Sequence, residues 1–464
     1  MVSGAPDAAR REAERKLELR KRLDEIERDL NSRAPENMPE PSLERVRQVM
    51  ELLGDPQDAF PVIHLTGTNG KTTTTRVIER ILREIGLNTG RMTSPHLHDL
   101  RERIAFNGQP IDPEKFVATY DEVLPYVQIV DERSVAEGGP RTTYFELLVI
   151  IAYAAFADAP VDVAIVEVGL GGLWDATNVA DGKVAVITPI SLDHTRLLGD
   201  TVEEIATEKR AIIKPGALAV IGRQLPEVDE VIREHVVEVE ATMLREDEAF
   251  LVTERDQAVG GQQLTVQGLA AVYPDLFVPL FGEYQAHNVA TAIAAVEAFI
   301  GGGEQPLDLE LLQSALAAVT SPGRLEIVRR SPTVLVDAAH NAGGAIALAE
   351  ALTDSFAFTH LVGVLAVLAD KDAESMLQTL EPVLDEVVVT RNSSPRSLSA
   401  HSLGELATEI FGEDRVHIEP VLVDALDRAA ALADAAGVGA GVVATGSIMT
   451  AADVRALLGK SDET

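Results

Sequence analysis

One segment, residues 64–73, restricts what this chain can fold into more than any other feature of its sequence. It reads His-Leu-Thr-Gly-Thr-Asn-Gly-Lys-Thr-Thr and joins a short apolar run at 62–65 to a stretch with helical periodicity at 72–85. A glycine-rich turn between a strand and a helix directs backbone N–H groups, and the positive end of the helix dipole, at an anion. We therefore predict a phosphate-binding loop formed by Gly67, Thr68, Asn69, Gly70, Lys71 and Thr72.

Two side chains of this loop have the chemistry that a nucleotide site requires. Lys71 can reach the terminal phosphates, and the hydroxyl of Thr72 can bind Mg²⁺. The general pattern has glycine six residues before the lysine, where this chain has Leu65, so the loop is a variant. A plain glycine turn is the alternative, and the ordered lysine and hydroxyls at a strand-to-helix junction disfavour it. A second apolar run, 161–167, ends in Glu167, whose carboxylate is a ligand for a hard cation beside the phosphates.

The alternation of strand and helix patterns predicts two α/β domains. Helical spacing places Val77, Ile78, Ile81, Leu82 and Ile85 on one face of the helix after the loop. Continuous apolar runs at 163–168, 184–188 and 217–221 indicate buried parallel strands. A Ser-Pro-Gly break at 321–323 follows a helical stretch at 309–318, and strands restart at 334–336, 361–364, 386–390 and 442–445. We expect an N-terminal helical extension (1–40), an ATP-binding domain (41–322) and a smaller Rossmann-like C-terminal domain (323–464).

Composition excludes several classes of protein. The chain has 40 Lys+Arg against 74 Asp+Glu, a net charge of −34 that repels nucleic acid. It has no cysteine, so a disulfide framework and a thiolate metal site are excluded. The first 22 residues are charged rather than apolar, and the longest apolar run, 147–157, is shorter than the roughly 20 residues of a membrane span. We expect a cytoplasmic protein without membrane or nucleic-acid partners.

Ten short blocks, in order along residues 42–455, resemble one known family. They are Thr-Ser-Pro-His-Leu at 93–97, Arg-Glu-Arg-Ile at 101–104, Val-Gly-Leu-Gly-Gly-Leu-Trp-Asp-Ala-Thr-Asn at 168–178, Ser-Leu-Asp-His-Thr at 191–195, Glu-Lys-Arg-Ala-Ile-Ile-Lys at 208–214, His-Asn at 287–288, Pro-Gly-Arg at 322–324, Asp-Ala-Ala-His-Asn at 337–341, Asp-Lys-Asp at 370–372 and Thr-Gly-Ser at 445–447. Together they resemble folylpolyglutamate synthase/dihydrofolate synthase, of the Mur ligase superfamily. The chain departs from the family pattern at Leu173, Arg210, Ala338 and Ala342.

The resemblance implies a role for each site residue. Metal ligands for Mg²⁺, two ions in all, would be Ser94, Glu167, His194 and Thr72. Lys209 stands where the family carbamylates a lysine, a reaction that needs the neutral amine. Asn288 would contact the adenine and Arg324 the phosphates, with Asp337 and His340 reaching the nucleotide from the second domain. The catalytic residues implied are Lys71, Lys209, His194, Arg324 and His340.

The reaction implied is amide ligation, in which ATP activates a folate or dihydropteroate carboxylate as an acyl phosphate and the amine of L-glutamate displaces phosphate. The family also implies a monomer. Two alternatives stay open: a Mur-type ligase for another carboxylate, and an ATPase switch that hydrolyses nucleotide without ligation. Dependence of ATP turnover on glutamate separates the ligases from the switch.

Overall fold

The structure, a computed structural model, describes residues 5–35 and 42–460. In those residues the strands are β1 (Val62–Thr66), β2 (Thr89–Met92), β3 (Ile104–Phe106), β4 (Gln109–Pro110), β5 (Val163–Glu167), β6 (Gly182–Ile187), β7 (Leu218–Ile221), β8 (Thr242–Arg245), β9 (Leu251–Ala258), β10 (Gly261–Gln267), β11 (Val272–Val278), β12 (Glu326–Arg330), β13 (Thr333–Val336), β14 (His360–Leu365), β15 (Glu386–Val389), β16 (Val416–Ile418) and β17 (Ala440–Thr445). The helices there are α1 (Ala5–Asn31), α2 (Glu44–Leu53), α3 (Lys71–Ile85), α4 (Pro113–Ala136), α5 (Tyr144–Asp158), α6 (Thr195–Leu198), α7 (Val202–Lys209), α8 (Pro226–Glu238), α9 (Glu283–Gly301), α10 (Leu309–Ala317), α11 (Ala342–Ser355), α12 (Ala373–Leu380), α13 (Ala400–Phe411), α14 (Leu422–Ala436) and α15 (Ile448–Leu457).

The strand before the phosphate loop lies inside an eight-stranded sheet of order β4-β3-β2-β5-β1-β6-β7-β8. Six neighbouring strands run parallel to one another: β2, β5, β1, β6, β7 and β8. Strands β3 and β4 continue the sheet beyond β2 as an antiparallel hairpin. All five residues of β1 are buried, as expected for a strand covered by helices on both faces. Leu65 pairs with Glu167, so the register places this carboxylate beside the start of the loop.

Helices cover the two faces of this sheet. On one face α3 packs with α9, and Val77, Ile78, Ile81 and Leu82 are fully buried as the helical pattern predicted. Ile85 is 37% exposed, because it belongs to the last turn of α3, where the chain leaves the sheet at Gly86. On the other face α2, α4 and α5 form a separate apolar core.

A three-stranded antiparallel sheet of order β11-β10-β9 was not predicted from the sequence. Its strands are half exposed, so their apolar pattern is too weak to stand out. The buried carboxylate of Glu297 in α9 joins it to the core by accepting hydrogen bonds from the Tyr273 hydroxyl (2.7 Å) and from the N–H groups of Leu269 (2.6 Å) and Ala270 (3.1 Å).

The C-terminal part contains a six-stranded sheet of order β12-β13-β17-β14-β15-β16. Only β12 runs antiparallel, and the sheet begins at Glu326, just after the break predicted at 321–323. The strands predicted at 334–336, 361–364, 386–390 and 442–445 correspond to β13, β14, β15 and β17. This is the expected second α/β unit.

The predicted N-terminal helix is present as α1 and packs on α4 and α5. Just after it the Arg33 guanidinium is buried and donates to Asp131 (3.0 Å) and to the Thr142 carbonyl (2.9 Å). The predicted N-terminal extension, 1–40, lies partly outside the described residues. Across the described part of the chain, no helix is both long and apolar enough to cross a membrane.

A second buried arginine generates a stability prediction. Arg45 in α2 makes a two-point contact with Glu146 in α5, at 3.1 and 2.8 Å. We expect Arg45→Ala to destabilise the fold by about 3–5 kcal/mol, because it leaves the buried carboxylate without its counter-charge. Urea unfolding followed by circular dichroism measures the effect. Arg20→Ala, on the exposed face of α1, is the control, and equal midpoints for the two variants would contradict the prediction.

Candidate active site

A cavity of about 480 Å³ lies between the two α/β units. Every residue that the sequence predicted for the site lines it: Gly67, Thr68, Asn69, Gly70, Lys71, Thr72, Ser94, Glu167, His194, Lys209, Asn288, Arg324, Asp337 and His340. These residues come from eight separate segments of the chain, and the fold brings them together around one cavity.

The phosphate loop is fixed by close packing at its two glycines. Gly67 has φ +147°, and a Cβ there would collide with the Thr188 hydroxyl. Gly70 has φ +88°, and a Cβ there would collide with the Asn288 amide. Between them, the Thr68 hydroxyl donates to the Ser191 carbonyl and accepts from the Ser191 N–H, both at 3.0 Å. The loop is therefore preorganised, with the N-terminus of α3 facing the cavity.

The amine of Lys71 lies inside the loop. It donates to the carbonyls of Gly67 (3.0 Å) and Thr68 (3.1 Å). Burial lowers the pKa of Lys71, whereas the nearby carboxylates of Glu167 and Asp193 act in the opposite direction. The amine is thus positioned where the terminal phosphates of a bound nucleotide would lie.

Glu167 and Thr72 form a compact pair of oxygen ligands. The Thr72 hydroxyl is 3.0 Å from both carboxylate oxygens of Glu167, and the backbone of Ser94 hydrogen-bonds the same carboxylate. Burial raises the pKa of Glu167, and the Lys71 charge opposes that shift. Hard oxygen ligands of this kind fit Mg²⁺. No group of three or more His, Asp or Glu side chains suited to a metal occurs in residues 5–35 and 42–460, so hydroxyl groups have to complete such a site.

Lys209 is buried, with 4% of its surface exposed, at the end of α7. Its amine donates to the Gly67 carbonyl at 2.8 Å. Burial, followed by the neighbouring Lys71 charge, lowers the pKa of Lys209 to about 7. Its neutral amine is therefore present near neutral pH, which is the form that adds CO₂. Gly172 lets the neighbouring loop approach closely, because a Cβ there would collide with the backbone of residues 208 and 209.

His194 has a left-handed backbone (φ +51°), and its N–H donates to the carboxylate of Asp193 at 2.8 Å. The same carboxylate meets three side chains of the C-terminal part, and sequence reasoning assigned it no role. They are Lys371 (2.5 Å), Asn341 (2.9 Å) and His340 (3.3 Å). Although burial acts to raise it, these donors hold the pKa of Asp193 well below its usual range. Asp193 therefore connects the two units directly.

The remaining predicted residues, Asn288, Arg324 and Asp337, line the same cavity. The Asn288 amide, above Gly70, donates to Gln285 at 2.9 Å. The buried Asp337 carboxylate accepts from the N–H groups of Leu325 (2.8 Å) and Ala339 (2.7 Å). Burial raises the pKa of Asp337, and the Arg324 charge opposes this. Arg324 is thus held at the edge of the cavity between the two units.

Sequence reasoning missed two groups of lining residues. Lys371 and Arg396 add positive charge from the C-terminal part. An apolar wall contains Phe145, Leu170, Trp174, Leu198 and Pro35. Lys371 and Trp174 lie inside quoted motif blocks, which was the available signal, whereas Phe145 and Pro35 reach the cavity only through the tertiary fold.

Comparison with known proteins agrees with this geometry. A family model described as "Mur ligase middle domain" matches residues 65–296, and one described as "Mur ligase, glutamate ligase domain" matches residues 323–448. Dihydrofolate synthase/folylpolyglutamate synthase of Mycobacterium tuberculosis is 49% identical over 459 residues, which is 95% of this chain and 94% of that protein. The chain belongs to the dihydrofolate synthase/folylpolyglutamate synthase family of Mur ligases. The family member from Bacillus subtilis is 34% identical, covering 81% of this chain and 87% of its own.

Solved structures of the family have the same fold. The crystal structure of Mycobacterium tuberculosis folylpolyglutamate synthase complexed with ADP and AMPPCP matches with a TM-score of 0.90 at 50% identity, covering 95% of this chain and 99% of that chain. The apo form of L. casei FPGS matches with a TM-score of 0.77 at 30% identity, covering 90% of this chain and 95% of that chain. The predicted fold class and the prediction of a Mur-type ligase are confirmed.

The loop and His194 generate the first test of the site. We expect Lys71→Ala and His194→Ala each to abolish phosphate release from ATP without changing the fold, because they remove polar side chains at the nucleotide rather than core volume. A coupled phosphate assay measures the loss, and circular dichroism checks the fold. Lys16→Ala, on the exposed part of α1, should retain full activity. Full activity in Lys71→Ala or His194→Ala would refute the site.

Proposed function

We propose that this family member joins the amine of L-glutamate to the carboxylate of dihydropteroate or of a reduced folate, at the expense of ATP. The observation that carries the proposal is the single cavity between two α/β units. One unit supplies the phosphate loop with Glu167 and Lys209, and the other supplies Asp337, His340 and Lys371. A reaction of three substrates needs a site that binds all three at once, because their reacting atoms must be held next to one another.

ATP is the nucleotide proposed for the loop. The Mycobacterium tuberculosis and Escherichia coli relatives were solved with ADP, the former also with AMPPCP. In this chain the N-terminus of α3 and the Lys71 amine provide positive charge for the phosphates, and Asn288 lies beside the loop for the adenine. Arg324, Asp337 and His340 complete the nucleotide site from the C-terminal unit.

We propose Ser94, Glu167, His194 and Thr72 as ligands for Mg²⁺, two ions in all, and Lys209 as a carbamylated lysine. Mg²⁺ would neutralise phosphate charge and orient the oxygens of the transferred group. The oxygen ligands of Thr72 and Glu167 and the buried, low-pKa amine of Lys209 fit these assignments.

Charge dictates the order of events that we propose. The acceptor carboxylate attacks the γ-phosphorus and ADP leaves, which gives an acyl phosphate; the neutral amine of glutamate then attacks the acyl carbon and phosphate leaves. The first step brings two anions together, so Lys71 and Arg324 are needed to reduce their repulsion and to stabilise the transferred group. Contact between the two units at Asp193 excludes water, which would otherwise hydrolyse the acyl phosphate.

The apolar wall of the cavity is proposed as the binding surface for the flat ring system of the acceptor. Phe145 and Trp174 offer aromatic surface, and Leu170 and Leu198 offer aliphatic surface. Aromatic side chains bury planar rings favourably. Dihydropteroate and reduced folates share this ring system, so the wall accommodates both substrate classes.

We also propose that the chain divides into two domains, 41–322 and 323–464, with 1–40 as an extension. The two large sheets support this division, because each lies within one of these ranges. A monomer suffices for this scheme, because one chain supplies every residue of the cavity. The cytoplasm is the proposed location, since the reaction consumes ATP.

The proposed function predicts a stoichiometry. With Mg·ATP present, we expect phosphate release only when glutamate and either dihydropteroate or tetrahydrofolate are both added, and one phosphate for each amide formed. Phosphate assays with parallel chromatography of the folate products provide both numbers. Rapid phosphate release without glutamate would favour the ATPase switch, and release with another carboxylate only would favour a different Mur-type acceptor.

The carbamate predicts a spectroscopic signal. With ¹³C-labelled bicarbonate we expect a carbamate carbon resonance from the wild type and none from Lys209→Ala. At a constant concentration of dissolved CO₂, labelling should become faster as the pH rises through about 7, because burial lowers the pKa of Lys209 to about 7 and the neutral amine is the form that reacts. Lys214→Ala is the matched control, because burial lowers the pKa of this nearby lysine as well and the signal should persist. Short carboxylates should partly restore activity to Lys209→Ala, and unchanged labelling in that variant would refute the assignment.

A further inference from the structure

The linker between the two units is bound to the helix that starts at the phosphate loop. The Thr73 hydroxyl of α3 lies 2.8 Å from the Ser321 hydroxyl, and both side chains are buried. One turn further, Arg76 donates from Nε to the Thr320 carbonyl (2.9 Å) and from a terminal nitrogen to the Thr320 hydroxyl (3.3 Å). Two consecutive linker residues are thus held by one helix.

Further hydrogen bonds hold the backbone of the linker between Ser321 and Arg324. The Arg324 N–H donates to the Ser321 carbonyl at 3.1 Å, which closes a tight turn. Gly323 adopts a left-handed backbone (φ +71°), and its N–H donates to Glu326 at 2.7 Å. Beyond the turn, the Leu325 N–H donates to Asp337 at 2.8 Å. A rigid turn of this kind transmits the position of residues 320 and 321 to the Arg324 side chain.

Arg76 is unusual in its charge environment. Within the described residues no carboxylate lies within ion-pair distance of its guanidinium, and its hydrogen bonds go to Thr320. Burial, followed by the Arg91 charge, lowers the pKa of Arg76 to about 9, whereas the carboxylates of Glu79 and Glu102 act to raise it, so the group is still a cation at neutral pH. In the described residues the half-buried guanidinium of Arg76 is held by the linker rather than by a direct ion pair. Its contact with the linker is a reason for its presence.

We propose that Arg76 is a positioning residue for ligation: through the Thr320–Ser321 linker segment it fixes the direction of Arg324 toward the phosphates. The proposal rests on the proposed function, because Arg324 acts on phosphate only there. A misplacement of a catalytic group by 1 Å costs up to about 100-fold in rate, so a linker contact outside the cavity can control kcat.

The kinetic test compares three variants on one helix. We expect Arg76→Gln to lower kcat on the order of 10- to 100-fold with little change in the KM for ATP, and Arg76→Lys, which can still reach the Thr320 carbonyl, to regain part of the loss. Arg80→Gln is the matched control, because this arginine of α3 forms an ion pair with Glu84 of the same helix and, among the described residues, makes no hydrogen bond to the linker. Equal effects of Arg76→Gln and Arg80→Gln would refute the proposal.

A double variant separates positioning from general destabilisation. If Arg76 acts through Arg324, then Arg76→Gln should add almost nothing to the loss caused by Arg324→Ala, whereas independent effects multiply. Multiplied losses would contradict the proposal.

A structural readout works even if ligation of folate is not the reaction. The chain has no cysteine, so Glu230→Cys with Glu409→Cys, on exposed faces of α8 and α13, gives a single pair of spin-label sites across the two units. We expect a narrow distance distribution in the parent protein and a broader one with Arg76→Gln. An unchanged distribution would refute the linker role, whereas absence of ligation by the wild type would refute only the proposed function.

Discussion

The carbonyl oxygen of Gly67 accepts hydrogen bonds from two lysines, and the rest of the cavity is organised around that atom. Lys71 reaches it from the start of α3 at 3.0 Å, and Lys209 reaches it from the end of α7 at 2.8 Å. The chain has only nine lysines among 464 residues, so two converging on one buried oxygen is a strong constraint. Burial lowers the pKa of both lysines, and the Lys71 charge lowers the pKa of Lys209 as well. An environment like this favours anions, which is why we propose it as the site of nucleotide phosphates and of a lysine carbamate.

The same loop connects the two units of the molecule. Asn69 exchanges hydrogen bonds with Asn341 at 3.3 Å, and Asp193 gathers Lys371, Asn341 and His340 from the C-terminal unit. The loop proposed to bind phosphate and the residues that join the two units are therefore in direct contact. In a ligase that forms a water-sensitive intermediate, this arrangement links occupancy of the nucleotide site to closure of the cavity.

Local sequence patterns predicted the strands and the helix face whose apolar residues are buried in a regular pattern. The strand before the loop, the α3 face and the C-terminal strands follow from apolar runs and helical spacing, because burial on two faces leaves a strong signal. The β9–β11 sheet was missed, because half-exposed strands carry a weak signal. The loop pattern and the family motifs predicted fourteen residues that line one cavity, but not the additional cations and apolar side chains that line it with them. Asp193, Phe145 and the Arg76 contact to the linker could not be predicted, because their importance depends on neighbours more than 100 residues away in sequence.

The central claim is that the glycine loop binds the phosphates of ATP. The most direct test is to measure the affinity of Gly70→Ala for a non-hydrolysable ATP analogue with Mg²⁺. Gly70 has φ +88° and faces the Asn288 amide, so a methyl group there must distort the loop while leaving the sheet core untouched. Isothermal titration should show tight binding by the wild type and a loss of at least about tenfold, or 1.4 kcal/mol, in the variant. Equal affinity of the two proteins would contradict the account.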